Sequence, residues 1–154
     1  MAQLLLNKQH LIFKSITKTN KTMKTLTIIT MFLAMLAKDP TPAIQQFVKT
    51  YFPETTILFT QRDEGEYEVR LSDGTEIDFT RKGEWKHIDC KHSNVYTSVP
   101  DALIPVEIAN YVKASFPDED IVKIDKDRRD WEIELSNRLE IKFDKKFRVL
   151  EYDD

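Results

Sequence analysis

Three side chains of metal-ligating type fall close together at His87, Cys90 and His92, and Cys90 is the only cysteine in the chain. Imidazole and thiolate suit zinc or copper, and a thiol beside an imidazole is the minimum for a cysteine nucleophile. Neither chemistry is completed by the neighbours. His87 alternates out of a strand end, His92 falls in a polar connection, and no fourth ligand of like kind or orienting group follows. The expectation is a strand end running into a linker, with no metal held. A lone cysteine allows no internal disulfide, so the fold must rest on its hydrophobic core.

A second set is acidic: Asp118-Glu119-Asp120, followed by Asp125, Asp127 and Asp130. Carboxylates so grouped are what calcium, a hard cation, requires. Here Lys126, Arg128 and Arg129 interleave with them, and the glycine and closing glutamate of an EF-hand loop are missing. Charged turns are the simpler reading, with calcium kept as the alternative. Three glycines in all leave no phosphate-cradling loop, and no cofactor is expected.

A third set consists of charges that alternate with apolar residues. Glu68, Arg70, Glu76 and Asp78 do so in one stretch, and Glu132, Glu134, Glu140 and Lys142 in another. Alternation of this kind gives a strand one ionic and one apolar side. A sheet built from such strands offers a broad charged face that docks a partner protein. Trp85 is added to this set as an aromatic anchor, should it lie on the exposed side.

The elements that position these residues are written twice. Residues 47–79 and 111–143 align at a constant shift of 64 with 12 identities in 33 positions, which marks a duplication. Each copy opens with a helix. Thr41 caps the first, Pro42 fits its first position, and Ile44, Phe47, Val48 and Tyr51 form one stripe. Pro105 starts the second, with Ile108, Tyr111 and Val112 on the stripe. Pro53 and Pro117 stop the helices at the preceding phenylalanines.

Four strands follow in each copy, near residues 56–61, 66–71, 76–80 and 84–89, and again near 121–126, 131–135, 139–143 and 147–152. Ser72-Asp73-Gly74 and Arg81-Lys82-Gly83 are turns. The second copy has Arg138 where the first has Gly74, so Asn137 is expected to take the positive φ. Lys145-Lys146 lacks the second glycine, and a two-residue deletion there would pair Trp85 with Phe147 and Ile88 with Leu150. The fold expected is α+β: a helix plus a four-stranded antiparallel meander, made twice. The two meanders join into one eight-stranded sheet with both helices on its apolar face, since free edges invite aggregation. Residues 38–90 form the first repeat, 91–99 a linker and 100–154 the second repeat.

Charge divides the chain unevenly. Residues 1–37 hold five lysines and no acid, so the remainder carries 18 basic against 26 acidic residues and a formal charge of −8. Lys24 followed by the apolar run Leu26–Ala37 has the layout of a secretory signal peptide over residues 23–37, too short for a membrane span. Met23 is then the natural start, with residues 1–22 an extension or a misassigned start, and cleavage near Ala37. The acidic remainder argues against nucleic acid and anionic membranes as partners.

Residues Pro105, Ile108, Tyr111-Val112-Lys113 and Phe116-Pro117 lead into Trp131-Glu132-Ile133-Glu134-Leu135-Ser136-Asn137 and Leu139-Glu140-Ile141-Lys142-Phe143-Asp144. This pattern resembles the PepSY-like family related to beta-lactamase-inhibitor proteins. It runs from Ile104 to Asp154 and more loosely from Thr41 to Cys90. The resemblance implies a small exported envelope protein with tandem helix-plus-sheet repeats and no catalytic residues to carry over. Together these readings point to a periplasmic or secreted, non-enzymatic binding module for an envelope or extracellular protein, with inhibition as one role open to it.

Overall fold

A computed structural model of the protein describes residues 39–92 and 95–153. The export signal expected over residues 23–37, the cleavage point and the stretch 1–22 lie outside the described residues.

The order of elements is α1 (Pro42–Tyr51), β1 (Ile57–Asp63), β2 (Glu66–Leu71), β3 (Glu76–Phe79) and β4 (Trp85–Asp89), then a short hairpin of β5 (Lys91–His92) and β6 (Val95–Tyr96). A 3₁₀ turn (Asp101–Leu103) leads to α2 (Val106–Ser115), β7 (Ile121–Lys126), β8 (Asp130–Leu135), β9 (Glu140–Asp144) and β10 (Val149–Asp153). The eight long strands form one antiparallel sheet in the order β1-β2-β3-β4-β7-β8-β9-β10. The two meanders are therefore joined through β4 and β7.

Both helices form for the reasons their sequences suggest. Thr41 Oγ1 accepts from Ile44 N at 3.3 Å and Pro42 fills the first turn of α1, where a missing N–H leaves nothing unsatisfied. Each helix ends at a phenylalanine kept out of helical geometry by the proline after it, with the Phe52 N–H on Val48 O and the Phe116 N–H on Val112 O. Ile44 and Val48 of α1 are buried, as are Ile108 and Val112 of α2, all within a single core. Phe47 stands edge-on to Phe79 at 5.2 Å, and Tyr111 stands edge-on to Phe143 at 5.5 Å, the same contact made twice.

Register explains the core. Directly opposed residues of antiparallel strands share a face. One row runs through Thr60, Val69, Ile77, Ile88, Ile124, Ile133, Ile141 and Tyr152, one residue per strand across the whole sheet. Its six central members are buried beneath the helices. Ile88 against Ile124 carries this core across the junction of the repeats without a break.

Two expectations about the turns are corrected. Arg138 itself holds φ +76°, standing for Gly74 at +93°. Asn137 is engaged otherwise, its Oδ1 accepting from Leu139 N at 3.0 Å as Asp73 Oδ1 accepts from Thr75 N at 2.9 Å. Nor is there a deletion after β9. Phe147 holds φ +59° in place of Gly83 at +82°, and each closes its turn by donating at 2.9 Å, Phe147 to Asp144 O and Gly83 to Thr80 O. Trp85 opposes Phe79 as Val149 opposes Phe143, and Ile88 opposes Ile77 as Tyr152 opposes Ile141. Trp85 thus corresponds to Val149 and Ile88 to Tyr152, not to Phe147 and Leu150.

Candidate functional site

The face away from the helices is ionic in two parallel rows. The first runs Gln61, Glu68, Asp78, His87, Asp125, Glu132, Lys142, Glu151, and the second Phe59, Arg70, Glu76, Asp89, Lys123, Glu134, Glu140, Asp153. Together they hold ten carboxylates against the three cations Arg70, Lys123 and Lys142. Most of the negative surplus of the acidic remainder is gathered on this surface, where it sets a field that favours a basic partner.

The face is organised by ion pairs along and across the strands. Arg70 meets Glu76 at 2.5 Å, Lys123 reaches Asp125 at 3.6 Å and Glu140 at 3.9 Å, and Lys142 sits between Asp130 at 3.5 Å and Glu132 at 3.8 Å. At the centre, His87 Nδ1 lies 2.6 Å from Asp125 Oδ1 across the β4–β7 junction. Burial alone would lower the His87 imidazole, but the bond to Asp125 and the charges of Asp125 and Asp78 outweigh it and hold the pKa above the ordinary value. Burial would raise Asp125, and the His87 bond with the nearby Lys123 keeps it low instead. Asp78, opposite His87 on β3, is pushed up chiefly by burial. These groups line a shallow polar depression over the junction with Lys86, Asp130, Glu132 and Lys142.

Of the residues singled out in the sequence, Glu68, Arg70, Glu76, Asp78, Glu132, Glu140 and Lys142 all lie on this face. Two do not serve as expected. Trp85 opposes buried Phe79 and so lies on the helix side, its ring 6.1 Å from Trp131 and covered by Lys126 Nζ at 4.0 Å. The bulge between Trp85 and His87 shifts the alternation by one residue, which is why the pattern of β4 misleads. Glu134 is in the row but only 6 % exposed, paired to Lys91 of the linker hairpin, and presents no charge to a partner.

Sequence reasoning did not bring His87, Asp89, Lys123 and Asp125 together, because that requires knowing that β4 pairs with β7. The trio of soft-ligand side chains is dispersed: His87 bonds Asp125, Cys90 is buried, and His92 is exposed over Gly74. Burial pushes the Cys90 thiol up to about 11. In the acidic set, Glu119 accepts from Ser136 at 2.5 Å, Asp127 from Arg128 N at 2.6 Å, and Asp125 and Asp130 face His87, Lys123 and Lys142. Among the described residues no three His, Cys, Asp or Glu side chains converge as a metal set. No described helix is long and apolar enough to cross a membrane.

Residues 38–74 and 65–151 match the family described as beta-lactamase-inhibitor-like, PepSY-like. The chain belongs to that family. Three solved relatives agree with its repeat architecture. A protein of Bacteroides thetaiotaomicron described as calcium-regulated and periplasmic is 40% identical, over 73% of this chain and 88% of its own, with a TM-score of 0.66. Two periplasmic proteins of Bacteroides vulgatus are 36% and 35% identical over 73% of this chain and 89% and 90% of theirs, each with a TM-score of 0.65. No protein of curated function matches. This PepSY-like chain is, like those relatives, a periplasmic or secreted protein.

Proposed function

We propose that this PepSY-like protein is a non-enzymatic binding module that presents its ionic sheet face to a basic surface on another envelope or extracellular protein, with inhibition of that protein as one consequence. The observation that carries the reading is the double row of ten carboxylates, Glu134 alone among them covered, and three cations on seven of the eight strands, on the face opposite both helices. The acidic bias of the face speeds encounter with a basic partner. A non-enzymatic role is supported by the side chains themselves. The one thiol is buried and protonated at neutral pH, and the one imidazole on the face is bound to Asp125 rather than to a nucleophile.

The test is recovery of a partner from envelope extract with wild-type bait and with a Glu68→Lys/Glu132→Lys double variant. Wild type should retain a partner that elutes as salt is raised, and the variant should lose it. Equal recovery by both baits overturns the reading.

A second reading, response to calcium, is favoured by the calcium-regulated relative. The carboxylates that line the central depression, Asp78, Asp125, Asp127, Asp130 and Glu132, are then the ligands to consider. Calorimetry with calcium up to the millimolar range, the weak end of known sites, decides it. An absence of heat ends that reading.

A further inference from the structure

The edge of β7 that receives β4 has its equivalent in the outer edge of β1. At the filled edge Cys90 N donates to Val122 O at 2.9 Å, and Ile88 stands opposite Ile124. A shift of 64 places Leu58, Phe59, Thr60 and Gln61 where Val122, Lys123, Ile124 and Asp125 stand, and the bulge before Lys123 recurs before Phe59. Bonding direction alternates along an antiparallel strand, so Leu58 and Thr60 turn their N–H and C=O groups away from β2. Among the described residues β1 ends the sheet. Leu58 is 67 % exposed where Val122 is 1 % exposed. Thr60 is only 4 % exposed, yet its Oγ1 finds no hydrogen-bond partner among the described residues.

From this we infer that the outer edge of β1 is a contact between two copies of this chain, joined antiparallel about a two-fold axis through Thr60. In that register Thr60 opposes its own counterpart, Phe59 opposes Gln61 of the second copy, and Leu58 opposes Arg62 of the second copy. The two buried hydroxyls meet across the axis, one donating and the other accepting, as cross-strand threonine pairs do. Leu58 gains cover from the methylene stem of Arg62, whose guanidinium already lies 5.4 Å from the centre of the Tyr67 ring. Main-chain bonds between the edges supply the affinity. An axis normal to the sheet leaves both helix layers on one side and both ionic faces on the other.

Charge decides the occupant. To the two ionic rows β1 contributes Phe59 and Gln61, and it is the one strand there with no titratable group. Two such edges meet without setting carboxylate against carboxylate, although each copy is strongly acidic elsewhere. Edges that must stay single are commonly short or guarded by lysine or proline. β1 runs for seven residues with neither. Its bulge is no bar, because β7 has the same bulge and is paired. A head-to-tail joint of β1 to β10 would set Tyr152 opposite Thr60 and, repeated, would not close, whereas the β1 joint is its own complement and stops at two copies. The inference goes beyond the reading of the ionic face and does not need it.

The test is sedimentation equilibrium of the full chain from about 1 μM to about 1 mM, the span of weak to moderate affinity. Wild type should pass from monomer to dimer. Thr60→Val deletes both hydroxyls of the axis together and leaves neither unmatched, so the flanking positions carry the test. Phe59→Lys/Gln61→Lys sets cations opposite each other on both sides of the axis and should weaken the dimer at least ten-fold. Phe59→Lys/Gln61→Asp installs the residue types of Lys123 and Asp125, with which the second repeat already folds, and sets opposite charges across the axis. That variant should stay within three-fold of wild type or tighten. A wild type that remains monomeric throughout overturns the inference. A dimer that the lysine pair leaves unchanged puts the contact elsewhere, residues 1–37 included, and refutes it as well. Equal weakening by the two double variants removes the axis at Thr60, and growth beyond two copies shows a joint that does not close; either result overturns the inference.

Discussion

The two repeats share the turns that follow each helix and those closed by Gly74 and Arg138 and by Gly83 and Phe147. They do not share the first hairpin, where Glu64 and Gly65 hold positive φ and Arg128 and Arg129 do not, and they differ again where their neighbourhoods differ. Thr60 and Ile124 occupy the same place in their repeats, as do Ile88 and Tyr152. The isoleucines belong to β4 and β7, which meet in the middle of the sheet, and the threonine and tyrosine to β1 and β10, which end it. The local sequence of a strand builds the strand, and the neighbour it will have decides which residue stands at its centre. An inner strand buries an aliphatic branch on both flanks, whereas an edge strand carries something that tolerates water.

Exchanging residues between the copies breaks this comparison most severely at the junction. Ile124→Thr places a hydroxyl where a fully buried side chain packs on Ile88 and Ile133, and should lower unfolding stability by about 2–4 kcal/mol. The reverse exchange should be mild or favourable. Thr60 is buried with its Oγ1 lacking a hydrogen-bond partner among the described residues, so Thr60→Val should gain about 1 kcal/mol. Urea unfolding of both variants measures the pair, and equal losses would show that the two positions are not governed by their neighbours.

The turns sharpen the same contrast. Gly74 and Gly83 became Arg138 and Phe147, and both replacements keep positive φ, which costs an L residue about 1–2 kcal/mol. Arg138 is exposed, so Arg138→Gly should recover about 1 kcal/mol. Phe147 packs on the core and lies 6.2 Å from Trp131, so Phe147→Gly should lose about 1–2 kcal/mol despite the relaxed backbone. Asp144 helps Phe147 stay. Its Oδ1 accepts from Lys146 N at 2.8 Å and Arg148 N at 2.9 Å, the two bonds that Thr80 Oγ1 receives in the first copy at 3.3 and 3.2 Å. Those backbone bonds and the Arg148 guanidinium hold the Asp144 carboxyl below its usual range. Thermal unfolding of the two glycine variants should therefore move in opposite directions.

Much of this was legible beforehand, for a physical reason. Period-two alternation in Tyr67–Leu71 and Trp131–Leu135 and the proline-terminated helix stripes are local signals, so both meanders, both helices and the face of Glu68 or Glu132 could be read from residues alone. Trp85 could not, because a bulge shifts the period of β4 and leaves no mark in residue type. Glu134 looked like any other exposed charge until Lys91, 43 positions away, folded over it. The centre of the ionic face, His87 with Asp125, joins residues 38 apart from different repeats, a pairing set by strand order. The turn at Phe147 misled for the opposite reason: glycine's absence suggested a shorter loop, while the chain kept its length and accepted the strain.

The smallest effect concerns what holds the repeats together on the ionic side, where the first row crosses from β4 to β7 through His87 and Asp125. His87 has its pKa raised above 6.5 by Asp125 and Asp78, so its contribution is complete below 6.5 and fades as pH climbs through the folded value. Asp125 is lowered below 3.8, so its contribution is complete above 3.8 and fades as pH falls through the folded value. Asp78, raised by burial, titrates with the carboxylates, while Lys86 and Lys123 are raised from 10.5. Lys126, lowered from 10.5 chiefly by burial, is common to wild type and His87→Gln, so setting the two against each other at pH 6 and pH 9 isolates the imidazole. Wild type should be less stable at pH 9, by a few tenths to about 1 kcal/mol given that both side chains are partly solvated. In His87→Gln, which keeps a hydrogen-bonding group but no titrating one, that difference should shrink towards zero. The second repeat has Glu151 in the place of His87 and Gln61 stands for Asp125 on β1, so the row holds no other imidazole. A variant that kept the full pH dependence would show that the junction is held by Ile88 and Ile124 alone, with the ionic pair above them serving only the partner.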